Sequence, residues 1–310
     1  MIVYRELSSL EQDLGFSAKT LYAVSNNLDK HYRTTTIPKK NGGIRKLQVP
    51  DEILKAIQHQ ITEVLILPKP ISHYAKAYYP GSSTIQNAKH HVGQPVVLKL
   101  DILHFFDSIR YSDVKDLVFP PEIYAEPLRI LLTMLCYHKD TLPQGAPSSP
   151  AITNVIMVEF DEIVGRYCNL QGIRYTRYCD DMTFSGDFDP EVVISFVHEE
   201  LKKRGFLLNE QKTRIQRSGT RQSVTGIVVN EKLSIPANYR RKLRQELYFV
   251  QKHGISEHLR RLGIDTPEEI YLQQLLGRVN YVLQVSPHDQ YFQQARQWIK
   301  KNSSSHELML

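Results

Sequence analysis

Two adjacent carboxylates stand at the centre of the segment Arg174-Tyr175-Thr176-Arg177-Tyr178-Cys179-Asp180-Asp181-Met182-Thr183-Phe184-Ser185-Gly186. β-branched and aromatic residues flank them, so residues 173–178 and 182–186 are predicted to be strands around a Cys179-Asp180-Asp181 turn. Neighbouring carboxylates repel one another at such a turn. By itself, an Asp-Asp pair would be read as a solvated hairpin turn, and its meaning depends on the rest of the chain.

A third carboxylate interrupts an apolar run upstream, Val96-Val97-Leu98-Lys99-Leu100-Asp101-Ile102-Leu103. Residues 95–102 are predicted to form a strand with Lys99 and Asp101 on the same face. A half-buried carboxylate is costly unless something compensates its charge. A lone strand aspartate is most often ion-paired, but three aspartates together would suit Mg²⁺, which prefers carboxylate oxygens.

The bulk composition is that of an ordinary soluble globular protein. The 310 residues are 41% hydrophobic and 23% charged, with a net charge of +6 and a pI of about 9.0. A basic balance suits a polyanionic partner. The three cysteines have no metal-ligand spacing, and no apolar run is long enough for a bilayer, so we expect a reduced, cytoplasmic protein with no membrane partner.

Strands and helices are mixed along the chain without βα alternation, which predicts an α+β fold. Residues 34–47 are predicted to be a basic β-hairpin with an Asn41-Gly42-Gly43 turn. Asp51 is expected to cap a helix that ends near Leu67. Ser148-Ser149-Pro150 is predicted to start another helix with serine capping, and the chain is helical from residue 238.

Four segments, in this order, resemble the catalytic motifs of reverse transcriptases, and their order over about 120 residues is highly specific. They are residues 98–109 around Asp101, Leu142-Pro143-Gln144-Gly145-Ala146-Pro147-Ser148-Ser149-Pro150, Tyr178-Cys179-Asp180-Asp181, and Leu208-Asn209-Glu210-Gln211-Lys212-Thr213. Cys179 stands where alanine is commoner in the family.

Two further segments resemble elements of bacterial retron reverse transcriptases. They are Asn87-Ala88-Lys89-His90-His91 and Ser223-Val224-Thr225-Gly226. The resemblance covers about residues 35–285, and we expect no RNase H, maturase or endonuclease domain. A group II intron-like or diversity-generating reverse transcriptase is one alternative. An RNA-binding scaffold with vestigial synthesis is another, and the intact aspartates argue against it.

The resemblance implies a right-hand polymerase with fingers, palm and helical thumb. The expected divisions are residues 1–95 for N-terminal helices and fingers, 96–118 for the first part of the palm, and 119–150 for a fingers insertion. Residues 151–236 would complete the palm, and residues 237–310 would form an RNA-binding thumb.

The same resemblance assigns the chemistry. Asp101, Asp180 and Asp181 form the implied metal site, with Asp101 and Asp180 as direct ligands and the carbonyl of Ile102 as a further ligand. Lys212 would neutralise the triphosphate or donate a proton to pyrophosphate. The expected cofactor is a pair of Mg²⁺ ions, with Mn²⁺ as a substitute.

Three residues are implied to bind the incoming deoxynucleoside triphosphate. Arg45 would clamp the triphosphate with its planar guanidinium. Phe106 would lie under the sugar and exclude a 2′-hydroxyl, whereas its neighbour Phe105 suits the core. Gln144 would contact the nucleotide or the template. Lys39 and Lys46 are expected to make nonspecific phosphate contacts.

RNA binding is expected at Asn87, His91, Thr225 and Gly226, although Asn87 and His91 would equally suit a structural role. Residues 202–221 carry seven Lys or Arg and one Glu, which predicts a phosphate track. The implied partners are a cognate structured non-coding RNA as template and primer, deoxynucleotides, the DNA product and a separate effector protein. The implied reaction starts from a 2′-hydroxyl of a guanosine, gives branched multicopy single-stranded DNA, and serves antiphage defence.

Overall fold

The computed structural model describes residues 4–38 and 42–307, and the chain divides into two compact units. The first unit is the chain up to Ser83 together with Leu98–Ile215. The second is Thr84–Val97 together with the chain from Gln216 onward. Each unit has its own hydrophobic core.

The helices and strands of the described residues follow in chain order. The α-helices are α1 Leu7–Leu14, α2 Ala18–Ser25, α3 Leu28–His31, α4 Glu52–Gln60, α5 Thr84–Lys89, α6 Phe105–Ser108, α7 Tyr111–Asp113, α8 Glu126–Cys136, α9 Ser149–Ile156, α10 Val158–Leu170, α11 Pro190–Lys203, α12 Ala237–His253, α13 Ile255–Leu262, α14 Glu268–Val285 and α15 Gln290–Glu307. The strands are β1 Tyr32–Pro38, β2 Ile44–Pro50, β3 Val96–Leu103, β4 Arg174–Tyr178, β5 Asp181–Gly186, β6 Leu207–Leu208, β7 Arg214–Arg217, β8 Ser223–Val224 and β9 Ile227–Val228. Shorter turns are π-helical at Ile61–Ile66 and Val114–Val118 and 3-10 at Glu210–Lys212. The predicted α+β class is confirmed.

The predicted basic hairpin is present in the first unit. β1 and β2 pair antiparallel from Tyr32↔Pro50 to Pro38↔Ile44. The predicted turn residue Asn41 and the phosphate-contact residue Lys39 lie outside the described residues. The strands that carry Arg45 are therefore confirmed.

Two helix starts were predicted, and one of them is correct in detail. The Asp51 side chain accepts the backbone N–H of Leu54 and caps α4, and the helix continues as the π-helical turn to Ile66. The serine cap on α9 is wrong, because Ser148 has helical backbone angles and makes no capping bond. The Ser149 hydroxyl instead donates to the carbonyl of Pro143, 2.8 Å away, and ties the helix to the preceding loop.

The sheet of the first unit places the carboxylates. Its strand order is β4-β5-β3-β6, and β4 and β5 form an antiparallel hairpin. Tyr178 pairs with Asp181, so the turn contains only Cys179 and Asp180. The prediction of a turn that includes Asp181 is therefore corrected, since Asp181 is the first residue of β5. The register of β4 and β5 therefore sets the backbone position of Asp181.

The core of the first unit packs helices against this sheet. The fully buried side chains include Leu98, Leu132, Ile152, Phe160 and Phe184. Burying each such side chain contributes roughly 1.5–3 kcal/mol. The sheet thus packs against an apolar core through the side chains of β3, β4 and β5.

The second unit is mainly helical, as predicted from residue 238 onward. Its core joins α12, α14 and α15 to the β8–β9 hairpin and α5 through buried apolar side chains, among them Leu247, Leu272, Val279, Phe292 and Val224. The division into fingers, palm and thumb at the residue numbers given above stays a prediction.

Gly145 lies where the β2 strand meets the loop before α9. The N–H of Gln48 donates to the carbonyl of Gln144 at 2.8 Å. Gly145 has φ +125°, and a Cβ built on it would come within 2.6 Å of the Gln48 carbonyl oxygen. Only glycine allows this close approach of two backbones.

We expect Gly145→Ala to lower the free energy of unfolding by about 2–4 kcal/mol, because it adds a steric clash to an unfavourable φ. Urea denaturation measures this change. Gly205→Ala is the matched control, because Gly205 also has positive φ but its Cβ would meet no atom within 4 Å. That control should lose only about 1 kcal/mol. Equal losses in the two variants would contradict the close approach at Gly145.

Candidate active site

A cleft of about 770 Å³ in the first unit contains most of the predicted catalytic and nucleotide-binding residues. Its walls include Arg45, Asp101, Phe106, Gln144, Asp180 and Lys212. These residues come from β2, β3, α6, the loop before α9, the β4–β5 turn and the 3-10 turn after β6. Residues far apart in sequence thus meet at one site, and Asp181 does not line the cleft.

Asp101 is held at the base of the cleft by two neighbours. Asn209 Nδ2 donates to Asp101 Oδ1 at 3.0 Å, and Lys212 Nζ donates to Oδ2 at 2.8 Å. The N–H of Asn209 also donates to the carbonyl of Asp101 at 2.8 Å. Both carboxylate oxygens are therefore hydrogen-bonded, although the Asp101 side chain is almost fully buried.

The strand register explains this contact. β6 pairs with β3 at Ile102↔Leu208, so the next residue, Asn209, lies beside Asp101. The following 3-10 turn, Glu210–Lys212, then returns Lys212 to the same carboxylate. Asn209 lies within a predicted catalytic motif, but the motif does not reveal its role, because the pairing of β6 with β3 is not visible in the sequence.

The carboxylates at this site repel one another electrostatically. Burial, followed by the charge of Asp101, raises the pKa of Asp180. Burial and the charges of Asp180 and Asp101 raise the pKa of Asp181 to about 6, and Lys99 opposes this. Burial would lower the pKa of Lys212, but its bond to Asp101 and the nearby aspartates raise it. The ammonium of Lys212, which is hydrogen-bonded to Asp101, does not by itself balance three carboxylates.

The donor set fits a divalent cation that also binds substrate. Within residues 4–38 and 42–307, no three His, Cys, Asp or Glu side chains lie close enough to hold a metal ion by themselves. Mg²⁺ is commonly held by one or two carboxylates together with substrate phosphates rather than by a complete protein cage. Asp101 and Asp180, both in the cleft wall, provide that kind of partial site.

The backbone of the Cys179-Asp180 turn is closely fixed. Cys179 has a left-handed φ of +60°, and the N–H of Ile102 donates to the Asp180 carbonyl at 3.2 Å. Burial raises the pKa of the Cys179 thiol to about 12, against a hydrogen bond from Tyr78 that lowers it. This thiol is therefore protonated and packs as a small apolar group rather than acting as a nucleophile.

Tyr78 was missed in the sequence analysis. It lines the cleft, hydrogen-bonds Cys179 and has a positive φ of +64°. A bulky residue in left-handed conformation is uncommon and is concentrated at functional sites. The segment Tyr78-Tyr79-Pro80-Gly81 carries turn residues, and these were the only sequence signal for its conformation.

The predicted nucleotide-binding residues differ in exposure. Arg45 is exposed on β2, and Gln144 and Phe106 are half-buried. Phe105 is buried in the core and meets Phe106 edge to face, with ring centroids 5.7 Å apart. Both rings line the cleft, with Phe105 the more buried of the two, and the role of Phe106 in sugar selection stays a prediction.

The predicted RNA-binding residues all lie in the second unit. Asn87 and His91 are 1% and 0% exposed. This burial favours the structural alternative for both residues, and RNA binding by them stays a prediction. Thr225 and Gly226 form the two-residue loop of the β8–β9 hairpin, with φ of +46° and +85°. Positive φ at both loop positions is typical of a type I′ turn, and Gly226 is exposed.

Comparison with known proteins gives the family. The model of the family "Reverse transcriptase (RNA-dependent DNA polymerase)" matches residues 37–264. The retron Mx65 reverse transcriptase of Myxococcus xanthus is 34% identical over 270 residues, which cover 79% of this chain and 63% of that protein. The retron Ec86 reverse transcriptase of Escherichia coli is 30% identical over 265 residues, 83% of this chain and 82% of that protein.

A third relative and two solved structures complete the comparison. The retron Mx162 reverse transcriptase of Myxococcus xanthus is 30% identical and is covered over 64% of its length. A foamy viral protease-reverse transcriptase with double-stranded DNA gives a TM-score of 0.46 at 14% identity, covering 91% of this chain and 41% of that one. A telomerase of Candida albicans gives 0.46 at 10% identity, covering 88% and 61%.

The chain belongs to the reverse transcriptases, and among them to the retron reverse transcriptases. This membership confirms the predicted fold class, the right-hand polymerase. The chain spans just under two thirds of the length of the two Myxococcus xanthus relatives. No helix within the described ranges is long and apolar enough to cross a membrane.

The raised pKa of Asp181 predicts how stability depends on pH. As pH rises from about 4 to about 6, the unfolded chain loses this proton before the folded protein does, so the free energy of unfolding falls. We expect Asp181→Asn to lessen this fall, to which the raised pKa of Asp180 also contributes, and to stabilise metal-free protein at pH 7 by about 1–3 kcal/mol. Thermal unfolding in EDTA from pH 4 to pH 8 measures it.

Asp187→Asn serves as the control, since Asp187 is exposed just beyond the end of β5. It should unfold like the wild type across the range. An Asp181→Asn variant that is no more stable than wild type at pH 7 would contradict the electrostatic strain.

Proposed function

We propose that this chain is an RNA-directed DNA polymerase whose active site is the cleft of the first unit. The observation that carries the proposal is the meeting of Asp101 and Asp180 with Arg45, Phe106, Gln144 and Lys212 in one cleft. Two acidic groups beside a cationic side chain and an aromatic ring suit the transfer of a nucleotide from a triphosphate. Such phosphoryl transfer depends mainly on positioning and on charge neutralisation.

The proposed cofactor is Mg²⁺, with two ions at the site and Mn²⁺ as a substitute. When bound, these ions would neutralise the triphosphate and activate the attacking hydroxyl. Asp101 and Asp180 would hold them, with Asp181 behind and the carbonyl of Ile102 as a further ligand. Asn209 keeps Asp101 in one orientation through its two hydrogen bonds.

Four other cleft residues would bind the nucleotide. Arg45 is exposed on β2, so its fork of N–H donors is available to phosphate oxygens. Lys212 lies at the mouth of the carboxylate site, where its ammonium would neutralise the triphosphate or give a proton to the leaving pyrophosphate. Phe106 would exclude a 2′-hydroxyl, and Gln144 would contact the nucleotide or the template.

We further propose that the template and primer belong to one structured non-coding RNA. Synthesis would start from a 2′-hydroxyl of a guanosine in that RNA and give branched multicopy single-stranded DNA. The relatives named above, all called retron reverse transcriptases, support this reading. The exposed basic residues Arg241, Lys242 and Arg244 on α12 offer phosphate contacts in the second unit.

The biological setting is proposed on kinship alone. The complex would act in antiphage defence with a separate effector protein. Its location would be the cytoplasm, because three cysteines without a disulfide pattern suit a reducing compartment.

We expect Asp180→Asn to abolish DNA synthesis, with a loss of at least about 10³-fold, because it removes a carboxylate from the metal site. Incorporation of labelled deoxynucleotides on the co-purified RNA measures this. Binding of the same RNA, followed by gel shift, should be unchanged. Near wild-type extension by the variant would remove Asp180 from the metal site.

The co-purified nucleic acid tests the retron assignment separately. Sequencing should recover a branched RNA–DNA species from wild-type protein and RNA alone from Asp180→Asn. Linear DNA without a branch would favour another reverse transcriptase. Wild-type protein that carries RNA but makes no DNA would indicate a binding scaffold.

We expect Phe106→Ala to admit ribonucleotides, raising the ratio of ribonucleotide to deoxynucleotide kcat/KM by about 10-fold or more. Single-nucleotide incorporation with matched deoxy- and ribonucleotides measures it. Phe206→Leu is the control, because Phe206 packs against Phe105 with ring centroids 5.6 Å apart but does not line the cleft. Unchanged sugar selectivity in Phe106→Ala would remove Phe106 from that role.

A further inference from the structure

An ion pair with no exposed surface lies next to the Cys179-Asp180 turn that lines the cleft. Arg177 on β4 and Asp161 on α10 are both 0% exposed. Arg177 Nη2 donates to Asp161 Oδ2 at 2.7 Å, and Arg177 Nε donates to Oδ1 at 2.9 Å. Such a pair is weak evidence for stability, because apolar residues of similar volume often do as well. Its presence therefore calls for another explanation.

The pair is part of a larger buried network in the first unit. The Tyr175 hydroxyl donates to Asp161 Oδ1 at 2.8 Å. Asn154 Oδ1 lies 3.4 Å from both Arg177 Nη1 and Arg177 Nη2. Asn154 Nδ2 donates to the backbone carbonyl of Ala77 at 2.8 Å. The guanidinium is thus fixed by side chains from α9 and α10.

One further donor of Arg177 reaches the catalytic turn. Arg177 Nη1 donates to the backbone carbonyl of Cys179 at 3.0 Å. Cys179 is the residue with left-handed φ, a conformation that costs about 1–2 kcal/mol for a residue with a side chain. A strained backbone conformation persists only where several surrounding contacts hold it in place. This hydrogen bond is a direct restraint on it.

The backbone of Arg177 is itself anchored on its other edge. Its N–H donates to the carbonyl of Tyr74 at 2.8 Å, and its carbonyl accepts the N–H of Lys76 at 2.7 Å. The guanidinium therefore extends from a fixed strand into a fixed set of acceptors. Its hydrogen bond to the Cys179 carbonyl restrains the residue directly before Asp180.

We infer that Arg177 is a positioning residue that sets the Cys179-Asp180 turn and so holds the Asp180 carboxylate beside Asp101. The inference rests on the proposed function of the cleft. Arginine suits the role because its planar fork can bind Asp161 through two nitrogens and still donate to a carbonyl. Asp161 balances the buried charge, and Tyr175 supports Asp161 without touching the turn.

Two variants test this role, so that the test still stands if one of them fails to fold. Arg177→Met combined with Asp161→Leu replaces the pair by apolar groups of similar volume and removes the bond to the Cys179 carbonyl. Arg177→Lys keeps the charge for Asp161 but loses the fork. The probes are dTTP incorporation on a poly(rA) template with an oligo(dT) primer, and Mn²⁺ binding to free protein followed by electron paramagnetic resonance.

We expect both variants to lose kcat by about tenfold or more, because small misplacement of a reacting group is costly in rate. The KM for dTTP should stay within about twofold, since the nucleotide-binding side chains are untouched. Mn²⁺ binding to free protein should weaken by at least about threefold, because Asp180 is a ligand of that ion. Tyr175→Phe is the matched control and should keep wild-type kcat, KM and Mn²⁺ affinity.

The outcomes are separable. Arg177→Lys with kcat and Mn²⁺ affinity within twofold of wild type overturns the inference, even where the double variant fails to give a cooperative thermal transition. A fall in kcat accompanied by a rise in KM, with unchanged Mn²⁺ affinity, also overturns the inference, because it indicates general disruption of the site. If wild-type protein and Asp180→Asn are equally inactive, the proposed function fails instead, and Mn²⁺ affinity alone then tests the positioning role.

Discussion

The mutual repulsion of three clustered aspartates, Asp101 buried and Asp180 and Asp181 half-buried, is the constraint around which the first unit is built. Asp101 is fixed in β3 and Asp181 in β5, and Asp180 lies in the turn between β4 and β5. Burial and neighbouring charge raise the pKa of Asp180 and Asp181, so the folded chain stores unfavourable electrostatic energy at this point. A protein keeps such a site only where the surrounding structure holds it together and something bound relieves it.

The surroundings restrain each carboxylate in a different way. Asp101 is oriented by Asn209 and partly neutralised by Lys212. The Asp180 turn is held by backbone bonds and by Arg177, and Asp181 by strand pairing with Tyr178. Lys212 occupies one oxygen of Asp101 with a single positive charge. A divalent ion with a triphosphate offers a better match, and Lys212 would then be available to the phosphates.

Much of this was predictable from the sequence, because local patterns determine it. The strands around Asp101 and Asp180, the hairpin carrying Arg45 and the Asp51 cap follow from alternation, turn residues and capping chemistry. The contacts of Asn209 and Arg177 were not predictable, since each depends on which strands and helices become neighbours. The burial of Asn87 and His91 was not predictable for a related reason, because a sequence motif does not show whether its residues face solvent or core.

Cys179 shows why a position in a catalytic motif need not be catalytic. Its backbone has a left-handed φ, and its backbone carbonyl accepts a hydrogen bond from Arg177. Neither feature uses the thiol. The thiol is mostly enclosed and its pKa is raised to about 12, so it packs as a small apolar group. Alanine, which is also small and apolar, would meet the same demands. The position therefore restricts side-chain size, while Asp180 is the proposed metal ligand.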